Sequence, residues 1–175
     1  KKKIFNVIGI MTGTSMDGID VAAIKTDGQA QLQSLAHVHM PYCAALQKQL
    51  RLAEQEAHAQ HGDWYDAVLI DQLTQLHIEA LDALIKKMGV TAQDVDVIGF
   101  HGQTLYHNPE EKRTLQVGDG AAIAAHFNVP VIEQFRQGDV YAGGQGAPLA
   151  PIYHQALVLR DALAPAAVIN CGGIA

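Results

Sequence analysis

The 175-residue chain is 49% hydrophobic and 17% charged, which suits a well-buried domain and excludes a disordered segment. Its formal net charge of −6, with no dense cluster of Lys and Arg, offers a nucleic-acid partner no electrostatic footprint. No apolar run approaches membrane-spanning length, and two cysteines, Cys43 and Cys171, far apart and without metal-type spacing, do not read as a disulfide framework, so a soluble protein of a reducing cytoplasm is expected.

The opening Lys1-Lys2-Lys3 reads as a solvated end. Residues 4–11 are a β-branched apolar run, read as a buried strand, and the Gly-rich turn that breaks it is unlike a signal peptide. Residues 19–25 and 32–40 follow as strands with the hairpin signal Asp27-Gly28 between them, which predicts an antiparallel three-strand meander. Pro41 ends the third strand, and helices are predicted over residues 44–59 and 63–88. The second carries an apolar face at helical spacing and is capped by Gly89. His77 falls at the edge of that face and reads as packed or solvated.

Past Gly89 the rhythm changes. Residues 95–100 form a strand running into His101-Gly102-Gln103-Thr104. Residues 114–117 lead into Gly118-Asp119-Gly120 and a small-residue helix over 121–127. Residues 129–135 read as a strand, 148–159 as a helix, and 166–169 as a final strand before Asn170-Cys171-Gly172-Gly173. A meander followed by alternating strands and helices predicts an α/β domain, a mixed sheet covered by helices. A Gly-rich turn after a strand normally delivers the chain into another element. Residues 1–175 are therefore expected to be the N-terminal lobe of a two-lobe protein whose second lobe lies outside this chain.

Four segments carry chemistry. The first is Met11-Thr12-Gly13-Thr14-Ser15-Met16-Asp17-Gly18-Ile19-Asp20, whose glycines allow a tight turn with converging N–H groups. Thr12, Thr14 and Ser15 add hydroxyls, and Asp17 and Asp20 can hold a hydrated magnesium ion. An ordinary hairpin capped by Thr, Ser and Asp fits the same composition. A Walker A loop does not, because the Gly-Lys-Ser/Thr ending is absent. The second is residues 135–149, where Asp139 is expected at a strand end before a Gly-rich stretch and can take a proton from an attacking hydroxyl or water. Arg136 beside it suits a sugar substituent or phosphate, or a salt bridge at the sheet edge. The third is His101 and Gln103, donors for sugar hydroxyls at a strand end, although a buried, satisfied His101 fits as well. The fourth is the closing turn at Gly172 and Gly173, with Cys171 structural. The nine scattered histidines, His37 and His39 among them, show no neighbouring carboxylate or Cys in sequence that argues for a metal site.

Taken together, the first turn, Phe100-His101-Gly102-Gln103-Thr104, Thr114-Leu115-Gln116-Val117-Gly118-Asp119, Phe135-Arg136 with Asp139, Gly143-Gly144-Gln145-Gly146-Ala147-Pro148-Leu149 and Asn170-Cys171-Gly172-Gly173-Ile174-Ala175 make the chain similar to the anhydro-N-acetylmuramic acid kinase family. That family belongs to the actin, heat-shock-ATPase and sugar-kinase superfamily. One departure is Cys171, where the family pattern has Ile. The resemblance implies an actin-like ATPase (ribonuclease H-like) lobe. It also implies an enzyme that uses ATP, Mg2+ and water to turn 1,6-anhydro-N-acetylmuramic acid into N-acetylmuramic acid 6-phosphate in cytoplasmic cell-wall recycling. It assigns ATP phosphates to Gly13, Thr14, Ser15, Met16, Asp17, Gly18, Ile19 and Asp20, with Gly172 and Gly173 as a second phosphate segment, and makes Asp139 the catalytic base. His101, Gln103, Asp119 and Arg136 become sugar contacts. The partners implied are the amino sugar and ATP, with a homodimer left open for the full-length protein. Two other readings stand beside it: a superfamily sugar or carboxylate kinase that cuts no glycosidic bond, and a non-catalytic ATP-gated binding module.

Overall fold

The computed structural model describes residues 3–29 and 31–169. Three strands open the chain, β1 (Phe5–Thr12), β2 (Gly18–Thr26) and β3 (Leu32–Pro41), followed by helices α1 (Ala44–Ala59) and α2 (Ala67–Met88). After a single 3-10 turn come β4 (Val97–Phe100), the hairpin β5 (Gln103–Asn108) and β6 (Arg113–Val117), helix α3 (Gly120–Phe127), β7 (Val131–Ile132), and helices α4 (Gln137–Tyr141) and α5 (Pro151–Arg160).

Alternation sets the main sheet. Ile8, Ile10 and Thr12 of β1 and Ile19, Val21 and Ala23 of β2 are buried, while Gly9, Met11, Asp20 and Ala22 between them are exposed on the opposite face. The meander pairs antiparallel, from Phe5↔Thr26 to Thr12↔Ile19 and from Gly18↔Pro41 onward. β4 joins β1 in parallel and β7 joins β4 in parallel, giving the order β3-β2-β1-β4-β7. The predicted mixed α/β sheet with its opening meander is the observed fold. Parallel pairs need long crossovers. α1 and α2 supply the first, and the β5–β6 hairpin with α3 supplies the second. A core running from Ile8 to Val129 fills the space between the sheet and the helices.

Several boundaries differ from expectation, each for a local reason. α2 begins at Ala67 because the Asp66 carboxylate accepts from the Val68 and Leu69 N–H groups, at 2.9 and 3.1 Å. It ends where expected, with Gly89 left-handed at φ 67°. The strand expected over 129–135 shrinks to two residues. Pro130 has no N–H to give a ladder, and Gln134 turns the chain at φ 59°. Asp139 therefore sits in the first turn of α4 and not at a strand end. The hairpin strand β5 was not expected at all. Residues 166–169 form no strand, since they are exposed and no neighbouring strand pairs with them. Among the described residues no helix is long and apolar enough to cross a membrane.

Candidate functional site

Because β1, β4 and β7 run parallel, their carboxyl ends share one sheet edge, where ligands of open α/β sheets bind. Three chemistry-bearing segments leave the sheet at this edge: the turn after β1, residues 101–103 after β4, and residues 133–146 after β7.

The first turn is pinned from below. Met16, at φ 55°, is fully buried, and its N–H donates to the Gly13 carbonyl at 3.1 Å. Gly18 has no room for a side chain, because a Cβ there would run into the β3 backbone at Met40 and Pro41. That packing alone accounts for this glycine, whatever the turn binds. Thr14, Ser15 and Asp17 are exposed at the tip, where two hydroxyls and backbone N–H groups suit phosphate oxygens. Thr12 is different: it is 1% exposed and its hydroxyl donates to the Gly102 carbonyl at 2.8 Å, so it braces the turn and offers an anion nothing. The Ser15 hydroxyl donates to Asp17 at 2.5 Å and holds that carboxyl below its usual range. Asp20 turns the other way, to His37 and His39 of β3 at 2.9 and 3.1 Å. These are the carboxylate contacts that sequence could not show for the two histidines. Asp17 and Asp20 are thus engaged by different partners, and among the described residues no group of three His, Cys, Asp or Glu is arranged to hold a metal ion.

A cleft of about 290 Å³ opens where β4, β6 and β7 end, lined by His101, Gln116, Asp119, Glu133 and Tyr65 among others, and by Gly102, whose carbonyl Thr12 holds. Asp119 caps α3, accepting from the Ala122 N–H at 2.9 Å, while its own N–H donates to the Thr74 hydroxyl at 3.0 Å. Glu133 reaches the same helix start and accepts from the Gly120 N–H at 3.2 Å. Two carboxylates at a helix N-terminus are each stabilised by its partial positive charge. Neither Gln116 nor Glu133 was singled out as a site residue from the sequence. Glu133 falls inside the strand expected from sequence, whereas β7 stops at Ile132 and leaves Glu133 and Gln134 lining the cleft.

Gln103 does not face the cleft. It is fully buried under the first turn and donates its amide to the Gly13 carbonyl at 3.1 Å. His101 is 8% exposed, with Nδ1 2.7 Å from the Gly102 carbonyl and Nε2 2.8 Å from Arg136 Nε. Burial, reinforced by the Arg136 charge and opposed by the Gly102 carbonyl, keeps its ring below the usual imidazole range. Arg136 also donates through a terminal nitrogen to the Gly146 carbonyl at 2.7 Å. Asp139 is exposed, and its carboxylate accepts from the Gly146 N–H at 2.7 Å. Gly144 packs so closely on that carboxylate that a Cβ there would collide with it. The structure thus gathers His101, Arg136, Asp139 and the glycine loop 143–146 into one cluster and places Asp119 across the cleft. Gly172 and Gly173 lie outside the described residues.

The chain matches the anhydro-N-acetylmuramic acid kinase family over residues 5–175. It is 44% identical to the anhydro-N-acetylmuramic acid kinase of Rhodopseudomonas palustris over 174 residues, 95% of this chain and 47% of that protein. Its counterpart in Bradyrhizobium diazoefficiens is 40% identical over 176 residues, covering 98% and 48%, and that of Rhizorhabdus wittichii 44% over 171 residues, covering 96% and 47%. The chain spans about half the length of the curated relatives it matches. It belongs to the anhydro-N-acetylmuramic acid kinase family.

Proposed function

We propose that this chain, as a member of that family, supplies the N-terminal lobe of a two-lobe kinase that opens 1,6-anhydro-N-acetylmuramic acid with water and phosphorylates the freed O6 from ATP. The observation that carries the reading is the shared sheet edge. The base of the first turn and the segment after β4, whose His101 and Gly102 line the polar cleft, are tied together by the Thr12–Gly102 and Gln103–Gly13 hydrogen bonds. Phosphoryl transfer asks for positioning and charge stabilisation more than covalent chemistry, and two adjoining sites on rigid strands supply positioning.

In this reading Thr14, Ser15 and the turn N–H groups take the ATP phosphates, and Asp119 with Gln116 faces the sugar. Water loses its proton to Asp139 as it attacks the anomeric carbon. The bond from that carbon to the bridging oxygen breaks, and the released O6 takes the γ-phosphoryl group as its bond to the β-phosphate oxygen breaks and ADP leaves. Magnesium would offset phosphate charge when bound, and Asp17, at the exposed tip, is the carboxylate positioned for it. Asp20 is held by His37 and His39, so the two aspartates are not assigned as a joint clamp. The reading implies a cytoplasmic enzyme that returns cell-wall sugar to metabolism.

One observation favours a second role for Asp139. Its carboxylate is already engaged by its own glycine loop, which suits a brace, with the base then coming from a carboxylate elsewhere in the full-length protein. Asp139→Asn in the full-length protein separates the two. Loss of the base costs kcat about 1,000-fold or more with nucleotide binding intact, whereas loss of a brace costs far less and raises amide exchange in 143–146. Turnover in 18O-labelled water tests the reaction itself: label at the anomeric oxygen is the expected product. Phosphorylation without label leaves a simple kinase, and no turnover with retained ATP binding leaves a switch.

A further inference from the structure

We propose that His101 is a positioning residue and not a sugar ligand: its neutral ring orients Arg136, and through Arg136 the glycine loop 143–146, against the strand that carries the phosphate turn. The proposal rests on the kinase reading of this cleft for its kinetic consequences, and on geometry for the rest.

The two ring contacts specify one protonation state. A carbonyl can only accept, so the nitrogen facing Gly102 O at 2.7 Å carries the hydrogen. A guanidinium can only donate, so the nitrogen 2.8 Å from Arg136 Nε must offer a lone pair. Only the neutral ring protonated at Nδ1 meets both demands, and then neither ring nitrogen is left for a substrate. The backbone around the ring is anchored to the core. His101 N–H donates to the Ile10 carbonyl at 3.1 Å, and the Gly102 carbonyl also accepts from Thr12 at 2.8 Å. On the other side, Arg136 holds the Gly146 carbonyl at 2.7 Å, and the Gly146 N–H holds Asp139 at 2.7 Å. An unbroken chain of polar contacts thus runs from β1 through His101 and Arg136 to Asp139.

This link matters because the loop has little buried surface and is otherwise held from outside α4 by His107, whose Nε2 lies 3.0 Å from the Gln145 carbonyl. Val140 and Gly146 are the only buried residues in the stretch from 133 to 150. Protonating His101 removes the acceptor and sets a second cation against Arg136. Arg136 is the charged group that meets the ring directly, while Asp119 from the α3 cap, Glu133 from the segment after β7 and the Tyr65 phenol before α2 line the same cleft. His101 therefore sets an acid limit on the ordered loop.

The test uses the full-length protein and three variants. His101→Gln restores an acceptor near the position of Nε2, and His101→Phe removes it. Arg136→Lys keeps the charge but cannot hold His101 and Gly146 together. The Phe variant is expected to lose kcat on the order of 100-fold with sugar KM nearly unchanged, and the Gln variant to stay within about 5-fold of wild type. The acid limb of kcat should flatten in the Gln variant. Amide exchange in 143–146 should rise in the Phe and Lys variants and not in Gln. Nitrogen-15 NMR of the labelled histidines should show His101 as the neutral ring protonated at Nδ1. A raised sugar KM with intact kcat in the Phe variant would make the ring a substrate contact and overturn the proposal. So would a Gln variant as impaired as Phe, or unchanged exchange in both Phe and Lys. If the wild-type protein turns over no anhydro sugar, the proposed function falls, yet the NMR and exchange results still decide the positioning role.

Discussion

The two sides of the candidate site are held in place by different forces. The turn after β1 rests on burial: Thr12 is 1% exposed and Met16 and Ile19 are fully buried, continuous with a core that runs from Ile8 to Val129. The glycine loop beyond β7 lies past the end of that core and hangs from Arg136, Asp139 and His107, whose Nε2 lies 3.0 Å from the Gln145 carbonyl. Burying a large aliphatic side chain contributes about 1.5–3 kcal/mol, whereas a typical hydrogen bond nets about 1. The turn after β1 should therefore move only when the whole domain unfolds, and the loop should be able to move alone.

The hardest way to break that contrast is to cut the strand both sides share. Ile98 is fully buried in β4, and Ile98→Ala should cost about 3–4 kcal/mol, read as a lowered urea midpoint at unchanged slope. Exchange at the turn and at the loop should then rise together. A smaller loss by this variant would show that β4 is not the common support.

Acid should act next most strongly, and on the scaffold side. His77 is fully buried on α2, donates Nδ1–H to the Leu73 carbonyl at 2.6 Å and meets Phe100 edge-on at 5.0 Å. Burial drives its ring down to about 4, with the Leu73 carbonyl opposing. Between the ordinary histidine range near 6.5 and that value the unfolded chain binds a proton the folded chain does not. Stability therefore falls as pH drops through this window, by up to about 3 kcal/mol. Urea titrations at stepped pH should show the decline, and His77→Leu should flatten it. A decline that persists in the variant would place the titrating group elsewhere.

Asp66→Ala should cost about 1 kcal/mol through the lost α2 cap, with little effect on the loop. At the low end, Leu159→Ser on the exposed face of α5 should change the stability of the 175-residue chain by less than about 0.5 kcal/mol, because the side chain is 68% exposed. A large effect there would mean that α5 packs more tightly than its exposure suggests.

Much of the fold was readable residue by residue, wherever a local period reported a buried face. The meander follows from its apolar runs and the Asp27-Gly28 hairpin signal, α1 from helical composition after Pro41, the face of α2 from period 3.6, and the end of α2 from Gly89 as a left-handed cap. The exposed tip of the first turn was readable too, as a cluster of Gly, Thr, Ser and Asp. What failed did so where long-range geometry overrode local pattern. Gln103 looked like a sugar donor and lies buried under Gly13, and Thr12 looked like a phosphate donor and braces Gly102. Glu133 was hidden in an apolar run, and Asp139 was expected at the end of a strand that in fact stops seven residues earlier.

The amino-acid order by itself therefore determined which segments form the sheet and helices and which turns carry polar groups, because burial periodicity and turn chemistry are encoded in near neighbours. Tertiary structure alone decided which polar groups face a ligand and which hold the scaffold. The bonds that settle this join residues far apart in the chain, Thr12 to Gly102, Gln103 to Gly13 and His101 to Arg136. A polar side chain's role depends on the partner that reaches it first, and that partner is chosen by the packing of parallel strands.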